Sequence, residues 1–371
     1  MRSSYPLTRF GDVVREVREA ERNPLENGLE RLVGLEHIEP ENLHIMEWGS
    51  VEDGTSFTRV FRKGQVLFGK RRAYQRKVAL AEFDGICSSD IIVMEAIEGK
   101  LVPELLPFIV QSEGFFEHAL STSAGSLSPR TKWKHLAEYQ FPMPSIDEQR
   151  RIAGILWAAD EVVEKWVSQS KKQYQLLIKA CQEWTFPKGD VARDLRLHGI
   201  AEILDNERIP LNKETRSNIK GDIPYYGATG IIDYVDDYIF ADEIVLIGED
   251  GDHFLKWQYQ SQTHLVRGKS WVNNHAHVFR AIEKFCSNEW LYRYFQFRNI
   301  NPYLQDSASM SRKKLTKQSL SGIPVKVPSK GYQKDILEKI NNIELSYKAA
   351  LLHLERCKVM YSSLLTELTA G

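Results

Sequence analysis

From Ile336 onward the apolar residues fall at Ile336, Ile340, Ile343, Tyr347, Ala350, Leu354, Cys357, Tyr361, Leu364 and Leu368, in alternating steps of four and three. Polar and charged residues fill most of the intervals. A mean period of 3.5 is that of a coiled-coil seam rather than of an ordinary surface helix. Moving 184 positions toward the N-terminus gives Ile152, Leu156, Ala159, Val163, Trp166, Ser170, Gln173, Leu177, Ala180 and Trp184. This second seam is in register with the first and is weakened only at Ser170 and Gln173. Each pattern predicts a helix of about 35 residues, about 50 Å long at 1.5 Å per residue. A seam sustained twice in one chain calls for a partner, and each helix is the obvious partner of the other.

The duplication runs beyond the helices. At the same offset Pro144 falls on Pro328, Ser145 on Ser329, Gln149 on Gln333 and Ile152 on Ile336. Upstream, Gly125–Leu136 resembles Ala308–Leu320, and each is preceded by an apolar helical stretch, Leu101–Leu120 and Trp290–Leu304. Further back, Lys63–Gly69 and Ala241–Gly248 read as buried strands ending at a glycine turn. Cys87–Val93 and Asn273–Phe279 pair in the same way. The predicted fold is α+β: two globular domains alternate with two long helices that pair as a coiled coil, an internal repeat. The boundaries are 1–145 for the first globule, 146–186 for the first helix, 187–328 for the second globule and 329–371 for the second helix. Thr185-Phe-Pro-Lys-Gly-Asp190 breaks the first helix, because proline cannot continue it.

Composition narrows the class. Four scattered cysteines without a CxxC pair fit a reducing compartment and argue against a disulfide framework or a structural zinc site. No run approaches the roughly 18 apolar residues of a membrane span, so a cytoplasmic protein without a membrane partner is expected. Catalytic motifs are missing: there is no Walker A loop, no GxGxxG, no DPPY or NPPY, no GxSxG and no HExxH. Asp90 with Glu98-Gly-Lys100 mimics a metal-dependent nuclease motif, but such a pattern arises easily by chance when 27% of residues are charged. His275 and His277 alternate on an apparent strand and are expected to face one side. Gly248–Asp252 reads as a strand-to-strand turn. No metal site is expected.

Charge suggests a polyanion. Net charge is only −1, yet a neutral total can hide a basic face. Arg59, Arg62, Lys63, Lys70, Arg71, Arg72, Arg76 and Lys77, with Tyr74 among them, lie in a stretch holding no acidic residue. Such groups neutralise phosphates, and arginine also pairs bidentately with guanine. The second globule is acidic from Asp233 to Asp252 and then supplies Lys256, Gln258, Tyr259, Gln260, Arg267, Lys269, Asn273 and Asn274. The serine-rich loops before the helices add Arg130 and Lys132 in one half, and Arg312, Lys313 and Lys314 in the other. Their hydroxyls and cations suit phosphate positioning, although the serines also suit helix caps. The halves agree in helices and connecting loops and differ in side-chain chemistry across the globules. Such a chain holds a fixed geometry and reads two different things. A coiled-coil scaffold without a DNA role and, less favoured, a metal-dependent nuclease are the competing readings.

The chain resembles the specificity (S) subunit of type I restriction–modification systems. Phe141-Pro-Met-Pro-Ser-Ile-Asp-Glu-Gln-Arg-Arg-Ile-Ala-Gly-Ile-Leu156 carries the resemblance, with Ile223-Pro-Tyr-Tyr-Gly-Ala-Thr-Gly230 and Asn274-His-Ala-His-Val278. The second copy departs from the first, with Gly331-Tyr332 in place of Asp147-Glu148. The resemblance implies a non-catalytic, pseudo-two-fold subunit whose two long helices pack as an antiparallel coiled coil and whose two globules are target-recognition domains. Each of these recognition domains would read half of a bipartite site in double-stranded DNA. It implies two methyltransferase (M) subunits carrying S-adenosylmethionine, and in the full complex two restriction (R) subunits using ATP and Mg. No cofactor is expected in this chain itself. Recognition domains about 50 Å apart would be separated by roughly 15 base pairs at 3.4 Å per pair.

Overall fold

The computed structural model describes residues 5–306 and 313–369 and divides into two compact units. One comprises Met1–Lys165 with Leu354–Gly371, the other Trp166–His353. Two long helices, Ile146–Trp184 with 39 residues and Lys330–Thr369 with 40, each contribute to both units. They exceed the expected length by about a turn. Each starts at a serine: Ser145 Oγ accepts from Glu148 N at 3.4 Å, and Ser329 Oγ from Tyr332 N at 3.3 Å. Asp147 and Glu148 add favourable negative charge to the first turn of the first helix. That helix stops at Trp184, just before Pro187, and the buried Thr185 hydroxyl donates to Cys181 O at 2.5 Å, satisfying a carbonyl of the last turn.

In the first unit the central sheet has the strand order Val14–Val17, Ile91–Ala96, Val66–Gly69, Val78–Leu80, antiparallel throughout. Val66–Gly69 is buried along its whole length because both faces of the sheet are covered. Val66, Phe68, Ile92 and Met94 face a core shared with the helices Leu106–Gln111 and Glu113–Ser121. Leu67, Ala79, Ile91 and Val93 face a second core. It also takes Val33, Phe61 and Cys87 from another sheet, ordered Gly49–Ser50, Arg31–Val33, Gly85–Cys87, Arg59–Phe61. The expected single helix over Leu101–Leu120 is two, since extended Ser112 interrupts it and caps the second through Phe115 N.

The second unit repeats the scheme. Its central sheet has the order Ala201–Ile203, Ala276–Ala281, Ile244–Gly248, Thr263–Val266, the same topology as its counterpart. A further sheet has the order Gly230–Val235, Ile223–Gly227, Trp271–Val272. In both units the entering strand pairs with the strand that leads into a long helix: Leu7–Arg9 with Gln140–Pro142, and Ala192–Arg196 with Pro324–Pro328. The helix expected over Trp290–Leu304 spans only Asn288–Gln296, followed by a short turn at Asn301–Tyr303.

The seam is buried or half-buried at every one of its twenty positions, Ser170 and Gln173 included. In the first unit Ile152 and Leu156 share a core with Leu365, flanked by Tyr361, Leu364 and Leu368. In the second, Leu177 and Ala180 share a core with Ile336 and Ile340, flanked by Ile343 and Tyr347. There Trp166 also stacks on His353, with ring centroids 4.7 Å apart. The start of one helix thus lies against the end of the other, so the pair is antiparallel. Val163 and Leu354 are half-buried members of the same stripe. Complete burial of Leu156 and Ile340 contributes about 1.5–3 kcal/mol each. Among the described residues no helix is long and apolar enough to cross a membrane.

Candidate nucleic-acid interface

In the first unit the loop between Val66–Gly69 and Val78–Leu80 carries Lys70, Arg71, Arg72, Tyr74, Arg76 and Lys77. Its tip is a short 3-10 turn, Ala73–Gln75, flanked by Arg72 at φ 56° and Arg76 at φ 53°. Left-handed backbone at a residue with a Cβ costs roughly 1–2 kcal/mol. Fixed contacts offset it: Arg72 N donates to Pro129 O at 2.8 Å, and Arg76 pairs with Glu41 and Glu113 at 3.1 and 2.9 Å. Ala73 is buried as the anchor, while Tyr74 is 54% exposed.

A second loop closes on the first. Ala124 and Arg130 exchange backbone hydrogen bonds, and Thr131 N donates to Lys70 O at 3.1 Å, which sets Arg71 opposite Arg130. Asp90 lies beneath, 2.9 Å from Arg130 Nε and 3.4 Å from Arg71 Nη1, while Arg71 Nη2 donates to Ser128 Oγ at 3.1 Å. Burial works against the charge on Asp90. The hydrogen bond and charge of Arg130, then those of Arg71, outweigh it and hold the carboxyl below its ordinary range. Burial, helped by the Arg59 charge, lowers the Lys70 ammonium. Leu127 at 89% exposure and exposed Lys132 complete this face.

Apart from Lys63, the remaining cations of the run are otherwise engaged. Arg59 pairs with Glu16 at 3.2 Å, Arg62 with Glu19 and Asp84, and Lys77 Nζ donates to Leu35 O at 2.6 Å. Lys63 is exposed. A stretch without local acids thus acquires acidic partners from distant segments. Folding leaves Arg71, Arg72, Tyr74, Arg130 and Lys132 as one neighbourhood and disperses the others. The nuclease-like pattern does not assemble. Asp90 precedes Ile91–Ala96 and Lys100 follows it, about 20 Å apart at 3.3 Å per residue. Lys100 Nζ instead donates to Asp12 O.

The second unit builds the same corner with other residues. Glu249 N donates to His275 O at 2.8 Å, Leu315 N donates to Glu249 O at 2.8 Å, and Asp250 lies opposite Lys314. Glu249 is buried and pairs with Arg208 and Lys314, each at 2.7 Å. Asp250 pairs with His275 Nδ1 at 3.0 Å. Beyond them, exposed Leu255, Lys256, Gln258 and Tyr259 line a loop tied back by Tyr174, whose hydroxyl donates to Tyr259 O at 2.8 Å. Gln260 is half-buried. Arg267 pairs with Glu243 at 2.7 Å, and Lys269 lies over the Tyr238 ring at 4.6 Å. Asn273 is buried and holds His275 N at 2.8 Å, whereas Asn274 and Lys313 are exposed. Arg312 lies outside the described residues.

His275 and His277 do not share a side. The strand begins only at Ala276, which leaves His275 exposed in the preceding turn. His277 is 1% exposed, its ring nitrogens 2.6 Å from Asp205 Oδ2 and from Leu315 O. Asp205 and Glu249 were invisible as site residues in the sequence. The signal was the repeat: aligning Gly69 with Gly248 sets Lys70-Arg71 over Glu249-Asp250. Among the described residues no group of three or more His, Cys, Asp or Glu side chains could hold a metal ion.

The profile for the type I restriction modification DNA specificity domain matches residues 49–173 and 192–352. The chain belongs to this family. The two matches of the specificity domain each include part of a globule and most of the long helix that follows it. A protein of Haemophilus influenzae described as a type I restriction enzyme specificity subunit is 41% identical over 142 residues, which are 38% of this chain and 34% of that one. The EcoDI specificity subunit of Escherichia coli is 31% identical over 146 residues, 36% of this chain and 32% of that one. These matches span about a third of the curated relatives. The fold is also that of the S subunit of a type I system from M. genitalium (TM-score 0.62, 14% identity, 99% of this chain and 96% of that one). A chain from a type I assembly studied for its conformational transition aligns with TM-score 0.60 at 20% identity, over 99% and 98% of the two chains.

Proposed function

We propose that this chain is the DNA-reading subunit of a type I restriction–modification assembly in the cytoplasm, and that it performs no catalysis itself. Each globule reads one half of a bipartite site in double-stranded DNA. The two long helices set the spacing between half-sites and dock two M subunits. S-adenosylmethionine and adenine methylation belong to the M subunits. ATP, Mg and cleavage belong to two R subunits where these join.

The observation that supports this reading best is the division of the repeat. Both units keep one sheet topology, one corner geometry and one way of attaching a long helix. What differs is the side chains exposed on the corner loops. Exposed tyrosines beside cations, Tyr74 near half-buried Arg72 and Tyr259 near exposed Lys256, suit stacking and phosphate contact together.

The test is methylome sequencing of a methylation-free host that expresses the chain with its M subunit, against M alone. The expected result is a split motif modified at adenine only when this chain is present. No such motif, with both proteins soluble and associated, would overturn the reading and favour a scaffold.

A further inference from the structure

The corner after the inner strand is built from equivalent backbone positions in both units. Lys70 N reaches Asp90 O as Glu249 N reaches His275 O. Thr131 N reaches Lys70 O as Leu315 N reaches Glu249 O. Arg71 faces Arg130 as Asp250 faces Lys314. These correspondences place Arg71 on Asp250 and Asp90 on His275. In the first unit the loop residue is the cation and its partner the carboxylate. In the second the loop residue is the carboxylate and its partner the imidazole. The local pair survives at 3.4 Å and 3.0 Å respectively, while its polarity is reversed.

Both loop side chains remain partly open to solvent, Arg71 at 39% and Asp250 at 37%. Each sits between an exposed tyrosine loop and the loop that leads to a long helix. Each is fixed by its partner, so little rotamer freedom is left to lose on contact. A guanidinium held this way donates in a fork that matches guanine O6 and N7, and a carboxylate accepts from cytosine N4.

We propose that Arg71 and Asp250 are base-reading residues at one equivalent station of the two half-sites. Arg71 selects a guanine edge in the half-site of the first unit, and Asp250 a cytosine edge in that of the second. Asp90 and His275 are positioning residues that aim them. The inference rests on the proposed function and deepens it, since it assigns opposite hydrogen-bonding chemistry to the two halves.

The test is competition binding by the full chain with its M subunits, using its own split motif and every single-base variant of it. With Arg71→Gln, preference at one guanine of one half-site falls roughly 5- to 150-fold, and the other half-site is unaffected. Asp250→Asn has the matching effect at one cytosine of the other half-site. Arg71→Lys keeps the charge and loses the fork, so it shows the same loss at the same position and decides the matter if Arg71→Gln fails to fold. A wild-type complex that prefers its split motif, with variants that keep every base preference, overturns this inference and leaves the DNA-reading role standing. A wild-type complex with no split preference overturns both.

Discussion

Gln149 and Gln333 occupy one station in the two repeats, and the structure shows what it does. Each is almost fully buried, at 1% and 3% exposure, and each donates from Nε2 to the carbonyl of the proline five residues earlier at 3.0 Å. Gln149 Oε1 also accepts from Val102 N at 2.8 Å, and Gln333 Nε2 donates to Phe285 O at 2.9 Å. The repeated glutamine therefore welds the start of a long helix to its globule through groups that water does not reach. Replacing Gln149 with leucine leaves a buried N–H and a buried carbonyl without partners, and each such loss costs about 1–3 kcal/mol. Urea unfolding of the first unit is expected to shift to lower concentration by a corresponding amount, and an unchanged midpoint would refute the weld. The sequence showed that Gln149 and Gln333 matched, but only coordinates show what they hold. The basic run shows the same limit. The acids that neutralise Arg59, Arg62 and Arg76 (Glu16, Glu19, Asp84, Glu41 and Glu113) lie outside any local window. Periodicity is local and was legible, whereas charge pairing across a fold is not.

The first long helix carries a second, pH-dependent attachment within its unit. His44 lies between Glu82 at 2.8 Å and Asp160 at 2.7 Å, edge-on to Trp157, with Glu164 contributing a further negative charge. The hydrogen bond to Asp160 is the largest influence. Burial opposes it, and Glu82 adds to it, so the imidazole is raised from 6.5 to about 9. The folded chain then holds this proton more tightly than the unfolded chain. The stabilisation is complete below pH 6.5 and is lost as pH rises through 9. Thermal melts of wild type and His44→Gln should differ most near pH 6.5 and converge above pH 9. A difference that does not change with pH would contradict the charged bridge. The seam illustrates how far an element can be read in advance. All twenty positions chosen by their period are at least half-buried, and even Ser170 is accommodated, its hydroxyl donating to Val167 O at 2.9 Å. The helix ends and the Ser112 break were less legible, because they depend on single caps.

At the scale of the whole chain, the proposed function assigns the reading of bases to the two units and the setting of distance to the repeated helices. Seven residues added to a helix lengthen it by about 10 Å, roughly three base pairs of duplex. The direct measurement is the methylated motif produced with M subunits after one in-register heptad is inserted in each long helix, after Trp166 and after His353, where the two rings stack. The expected result is a gap about three base pairs longer with both half-sites unchanged. An unchanged gap, or altered half-sites at the old gap, would contradict it.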